Sequence, residues 1–293
     1  MPKMLHILLK IASKTVPILG GGVVSLYLGI CIFLYAYQTR IIFKPEPTVD
    51  FSPQDLQLDY EEIWLTVGQA QLHGWWLPSS ASSRVLLYLH GNGENIAANL
   101  NHAHRYQQMG FSVLLFDYRG YGRSDGPFPS EQRVYEDAAV AWQYLTTQRQ
   151  VAPSDIWIYG HSLGGAIAVD LAVKHPEAAG LVVESSLSSM HQAVNATGQY
   201  DWIPVNLILT QRFNSVAKLS SLQMPVLFIH GLEDDILPSD MSQLLYAAAP
   251  TPKTLWLVPG AGHNNVAEVA GEEYFRQVEA FFEDSLQASL KEN

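Results

Sequence analysis

Beyond residue 60 the apolar positions fall into short unbroken runs, at 85–89, 113–117, 156–159, 181–184, 225–230 and 254–258, each bounded by glycine or polar residues. Runs of this length with no polar alternation predict strands buried on both faces. Between them the spacing changes to helical, over about 96–109, 130–148, 167–175, from 239 and from about 266 to the C-terminus. Strand and helix in alternation predict an α/β domain with a mainly parallel sheet covered by helices on both faces. Two earlier strands, 63–67 and 72–77, are joined by a short turn at Gly68 and predict a hairpin ahead of the alternating units. Residues 185–223 break the rhythm and are expected to form a cap inserted over the sheet edge.

The first 44 residues differ in kind from the rest. They carry five basic side chains, Lys3, Lys10, Lys14, Arg40 and Lys44, and no acidic one, and residues 16–37 carry no charge at all. A run of that length suffices to cross a hydrocarbon core of about 30 Å as a helix, so the segment is read as a retained membrane anchor. A cleaved signal peptide and a buried helix are the competing readings, and no small-x-small cleavage site follows the run. Three lysines and the amino terminus before the span, against Arg40 and Lys44 after it, favour a cytoplasmic N-terminus with the globular part on the other side. The expected organisation is an anchor over residues 1–44 and one domain over residues 45–293. Since the apolar run supplies no catalytic group, a chain starting near Pro45 is expected to keep activity.

Without those five bases the chain has 12 basic and 28 acidic residues, an imbalance that argues against nucleic acid as a partner. The single cysteine, Cys31, lies in the expected span, which excludes an intrachain disulfide and a cysteine zinc site.

The run at 156–159 ends in Gly160-His161-Ser162-Leu163-Gly164 and opens into a helical segment. A serine on a sharp strand-to-helix turn takes a strained backbone conformation, which requires residues without side chains two positions before and after it. Ser162 is therefore the candidate nucleophile, and the backbone N–H of Leu163, at the head of the following helix, is a candidate oxyanion donor. The glycine-rich loop 90–95 follows the first of the parallel runs and offers the N–H of Asn92 as the second donor. A serine needs a base, and the base needs a carboxylate behind it. Of ten histidines, His263 lies in a glycine-rich loop after the last strand, whereas His90, His161 and His230 sit at strand ends and are read as structural. Asp234, after the penultimate strand, is the chosen acid, with Asp235 read as bracing the turn and Glu184 as the alternative carboxylate. Nucleophile, acid and base in the order Ser162, Asp234, His263 match one of the known serine-hydrolase orders.

These motifs, together with Asp117-Tyr118-Arg119-Gly120-Tyr121-Gly122-Arg123-Ser124, resemble the α/β-hydrolase superfamily, and more narrowly its membrane-anchored BEM46-like group with a serine aminopeptidase S33-type domain. The resemblance implies the α/β-hydrolase fold preceded by one transmembrane helix, and hydrolysis of esters, thioesters or, less often, amides, with Ser162, Asp234 and His263 as the triad. The chemistry calls for no cofactor and no metal. The expected substrate is a small-molecule or lipid acyl compound, with Trp202 and Leu207 of the cap as candidate acyl-pocket residues and a cap helix merely packed on the sheet as the alternative. A peptidase of the same fold and a non-catalytic scaffold are the competing functions, and the sequence leaves the oligomeric state open.

Overall fold

The computed structural model describes the backbone of residues 2–250 and 252–292 and the side chains of residues 22–250 and 252–287. Eight strands form one sheet in the order β1-β2-β4-β3-β5-β6-β7-β8. The hairpin β1 (Glu61–Val67) and β2 (Ala70–Leu77) is antiparallel and joins β4 (Ser112–Phe116) antiparallel, while β3 (Val85–Leu89), β5 (Ile156–His161), β6 (Gly180–Glu184), β7 (Val226–Gly231) and β8 (Lys253–Val258) run parallel to it. The helices are α1 (Pro2–Ile42), α2 (Ile96–Gln108), α3 (Glu131–Gln143), α4 (Leu163–Lys174), α5 (Met190–Ala196), α6 (Val205–Ile208), α7 (Ser215–Leu219), α8 (Asp240–Ala248), α9 (Val266–Ala270) and α10 (Glu272–Glu292).

The unbroken apolar runs are explained by two cores, one on each face of the sheet. Along β3, Leu87 and Leu89 enter the layer covered by α3, α4 and α8, while Leu86 and Tyr88 enter the layer covered by α2 and α10. Side chains of a strand alternate in direction, so a strand between two apolar layers has no position for a polar residue. The boundaries follow local chemistry. Ser130 caps α3 by accepting from the Arg133 N–H, and Asn95 caps α2 by accepting from the Ala97 N–H. The expected C-terminal helix is divided at Gly271, whose φ of 56° interrupts the helical path between α9 and α10.

The cap expected over 185–223 consists of α5, α6 and α7, and it packs on α1 as well as on the sheet edge. One stripe of α1, formed by Tyr27, Ile30, Cys31 and Leu34, meets Ile203 and Val205 of the cap. Positions three and four apart share a helix face, so a single stripe suffices for this contact. Gln38 continues it and is nearly buried, its amide donating to the Ile208 carbonyl and accepting from the Thr210 and Gln211 N–H groups. Much of the rest of the described part of α1 is exposed and apolar, including Val23, Val24, Leu26, Ile32 and Phe33. Of the expected span, residues 16–21 lie outside the residues whose side chains are described, as do Lys3, Lys10 and Lys14.

Packing crosses the boundary expected between residues 44 and 45. Phe43 is 1% exposed, belongs to the core on the α3/α4 face and lies 6.0 Å from the ring of Phe213. A chain cut at Pro45 lacks this side chain and the Gln38 bonds to the cap, which removes the physical basis for expecting a fully active fragment. Phe43→Ala should therefore destabilise the protein by about 3–5 kcal/mol. Thermal unfolding of the detergent-solubilised variant should show a clear fall in Tm, and an unchanged Tm would mean that the segment before Pro45 is only a tether.

Candidate active site

The C-terminal ends of the parallel strands bring the candidate residues to one edge. Ser162 follows β5 with φ 54° and ψ −120°, a conformation that side-chain-bearing residues rarely hold. The two glycines make it possible. A Cβ on Gly160 would stand 2.2 Å from the Gly164 carbonyl oxygen, and one on Gly164 would stand 2.0 Å from the Leu89 carbonyl oxygen. The turn is also held by backbone bonds, the Ser162 N–H donating to the Glu184 carbonyl and the Gly165 N–H to the Ser162 carbonyl.

His263, in the loop after β8, lies with Nε2 2.9 Å from Ser162 Oγ and Nδ1 2.7 Å from Asp234 Oδ2. Asp234 reaches it from the loop after β7. Its Oδ1 accepts from the N–H groups of Ile236 and Leu237, and His230 Nε2 lies 3.0 Å from Oδ2. Burial alone would raise this carboxyl, but the hydrogen bonds from His230, His263 and the Leu237 N–H outweigh it and hold the group well below the usual carboxylate range. Asp234 is thus ionised throughout the neutral range, and an ionised carboxylate fixes the tautomer with the proton on His263 Nδ1 and a free pair on Nε2 facing the serine. Asp235 is exposed to solvent. Glu184 turns the other way, its carboxylate accepting from Tyr274 OH at 2.7 Å.

The three strand-end histidines differ. His90 is buried against its own loop, with Nδ1 2.8 Å from the Gly91 carbonyl, and burial pushes it down to about 4. His161 is likewise pushed down to about 4, by burial and then by the neighbouring His263, and its Nε2 lies 3.1 Å from the His263 carbonyl, bracing that loop. His230 was read as structural, but it bonds the carboxylate of Asp234 and is itself held by Ser242 Oγ at 2.6 Å. The signal for this was its place at the end of β7, four residues before Asp234.

Both oxyanion candidates face the same space. The N–H groups of Asn92 and Leu163 have no protein acceptor among the described residues, and both residues line the cleft that contains Ser162 and His263. The Asn92 side chain has a separate task. Its Nδ2 donates to the Ile42 carbonyl at 2.5 Å, and its Oδ1 accepts from Tyr121 OH at 2.7 Å and from the Lys44 N–H at 3.0 Å. The oxyanion loop is thereby tied to the end of α1. The cleft has a volume of about 370 Å³, and its walls include Ile41 and Ile42 of α1, Met190 and Val194 of α5, and Tyr200.

Trp202 and Leu207 do not line this cleft, which corrects the expectation that they form an acyl pocket. They are 56% and 83% exposed on the outer side of the cap, where Trp202 packs against Tyr27 of α1 with ring centroids 6.2 Å apart. The apolar residues of that stretch alternate between inward and outward faces of the cap, and these two are outward. Ile41 and Ile42, which do line the cleft, were missed because a continuous apolar helix gives no sign of which of its residues pack against the domain.

The fold and this arrangement define an α/β hydrolase, and the chain belongs to that family. Within it the chain falls with the BEM46-like group. Residues 80–218 match the family model described as serine aminopeptidase, S33. An uncharacterised protein of Mycobacterium tuberculosis is 36% identical over 260 residues, covering 88% of this chain and 91% of its own. Alpha/beta hydrolase domain-containing protein 17C of Mus musculus is 30% identical over 81% of this chain and 72% of its own, and protein bem46 of Schizosaccharomyces pombe is 27% identical over 86% and 88%. Among solved structures, the esterase Pf2001 of Pyrococcus furiosus shares the fold with a TM-score of 0.68 at 22% identity, covering 82% of this chain and 98% of its own.

Behind the site, burial pushes Glu184 up to about 7 against the lowering effect of its tyrosine hydrogen bonds. The folded protein therefore keeps a proton that the unfolded chain releases, and the associated stability is full below the unfolded carboxyl value of about 4.3 and is lost as pH rises to about 7. Asp117, pushed up to about 8 by burial, acts in the same sense. Glu184→Gln should flatten the fall of Tm between about pH 4.5 and 7 while the Asp117 contribution remains. Parallel Tm profiles for the variant and the parent would refute this role for the Glu184 proton.

Proposed function

We propose that this chain is a membrane-anchored serine hydrolase that cleaves carboxylic ester or acyl-thioester bonds. The observation that carries the reading is the unbroken line of hydrogen-bonding atoms from Ser162 Oγ through His263 to the ionised Asp234, beside two unengaged backbone N–H groups. Ser162 attacks the acyl carbonyl as His263 Nε2 takes its proton, and the negative charge that develops on the carbonyl oxygen is held by the N–H groups of Leu163 and Asn92. Asp234 stabilises the imidazolium. Collapse expels the alcohol or thiol, which takes the proton from His263 and leaves an acyl-serine. Water, deprotonated by the same imidazole, then releases the acid and restores the serine.

The apolar walls of the cleft and the esterase among its structural neighbours support an ester substrate over an amide. An aminopeptidase is the second reading, supported by the matched family's description and by Glu94, a cleft-lining carboxylate placed to hold a substrate ammonium group. The anchor rests on residues Gly22–Ile42, with mean hydropathy 1.5 and most of their surface unburied. At about 1.5 Å per residue they match a hydrocarbon core of about 30 Å. The lysines preceding the span favour a cytoplasmic N-terminus, with the hydrolase domain on the opposite side.

Ser162→Ala should abolish covalent labelling by a fluorophosphonate, and His263→Ala and Asp234→Asn should lower kcat by roughly three to four orders of magnitude. Labelling and ester turnover of the membrane fraction measure both. Labelling that survives Ser162→Ala, or aminoacyl amides cleaved faster than any ester, would overturn the serine assignment or the ester assignment respectively.

A further inference from the structure

A second, apolar space adjoins the cleft at Ser162. Between α1 and the cap lies a second cavity of about 80 Å³, walled by Leu34 of α1 and by Ile203 and Ile208 of the cap. Ile41, Ile42, Val194 and Tyr200 line both this cavity and the cleft at Ser162, so the two spaces adjoin at the end of α1. The Gln38 amide in its wall is engaged with the Tyr35 and Ile208 carbonyls and the Thr210 and Gln211 N–H groups, and is not available to a polar ligand. What remains is an apolar extension of the cleft, with the anchor helix as one of its walls.

Resting on the serine-hydrolase reading, we propose that this cavity is the acyl subsite, and that the substrate is a membrane-resident acyl ester or thioester whose hydrocarbon chain lies between α1 and the cap. Three observations select a chain of this origin. The cavity and the cleft share Ile41, Ile42, Val194 and Tyr200 as walls, so a chain lying in the cavity leads along these residues toward a carbonyl at Ser162. Its wall is the helix whose faces turned away from the cap, with Leu26, Ile32 and Phe33, are exposed and apolar. The cap follows that helix as far as Tyr27, whose hydroxyl donates to the Trp202 carbonyl. From Tyr27 to Ile42 the helix rises about 22 Å, so the cap flanks the anchor over much of the depth of a bilayer leaflet and beyond. A chain that moves along α1 from the bilayer reaches Ser162 without crossing water.

The test uses the full chain in lipid nanodiscs, with p-nitrophenyl acetate and octanoate as substrates. The parent should favour octanoate in kcat/KM by roughly tenfold or more, the share of a few buried methylenes. Leu34→Trp, which fills the cavity from α1, should bring that ratio close to one. Ile203→Trp does the same from the cap and serves if Leu34→Trp does not fold. Trp202→Ala and Leu207→Ala, on the outer surface, should keep the parent ratio. An acetate preference in the parent, or an octanoate preference that survives both filling variants, overturns the acyl subsite. Labelling of Ser162 by a small ethyl fluorophosphonate separates the two readings: with labelling intact the hydrolase reading stands alone, and without it both fall.

Discussion

The strained turn at Ser162 is the constraint on which the rest depends. A residue with a side chain held at φ 54° and ψ −120° costs on the order of 1–3 kcal/mol, and it persists only where its surroundings leave it no alternative. Here β5 lies between β3 and β6 with its residues in both apolar cores, and α4 begins at the next residue with nearly every side chain buried. Neither element can shift to relieve the turn without opening the core. The close approach of Gly164 to the Leu89 carbonyl ties the same turn to the end of β3, from which the oxyanion loop departs. Ser162 and the N–H groups of Leu163 and Asn92 are in this way positioned by one packing arrangement.

The second dependency runs through Asn92. Its side chain bonds the last carbonyl of α1, the Lys44 N–H and Tyr121 OH, while Asn95 Nδ2 donates to the Glu46 and Thr48 carbonyls. The segment that leaves α1 is therefore strapped across the loop that carries the Asn92 N–H. The end of α1 is part of the site's wall, and the orientation of the domain relative to the helix is set by buried contacts at Phe43 and Gln38 and not by a flexible linker.

Charge is distributed to match these roles. Asp234 is buried yet supplied with donors on both oxygens, so it stays ionised where its charge orients His263. Glu184 is one strand away and equally buried, but it faces Tyr274 and His102 in a cluster of aromatic rings and is pushed toward the neutral form. Two carboxylates at the same sheet edge thus differ in state because one has enough donors for its lone pairs and the other does not.

The local sequence determined the order of strands and helices, because an apolar run of five residues and a run of helical spacing are distinguishable without tertiary information. It determined Ser162 as well, since only glycines can flank that turn, and the order of serine, acid and base narrowed the histidines to His263 and the acid to the loop holding Asp234. Tertiary structure alone decided how these groups meet: Ser162, Asp234 and His263 come from loops up to 101 residues apart and reach hydrogen-bond distance only through strand pairing. It also decided which apolar residues face the cleft. In the cap and in α1 the sequence is apolar on several sides, so composition does not distinguish the inward Ile42 and Val194 from the outward Trp202 and Leu207. Hydrophobic pattern reports that a side chain avoids water, whereas its partner, whether core, substrate or lipid, is set by the packing of elements distant in sequence.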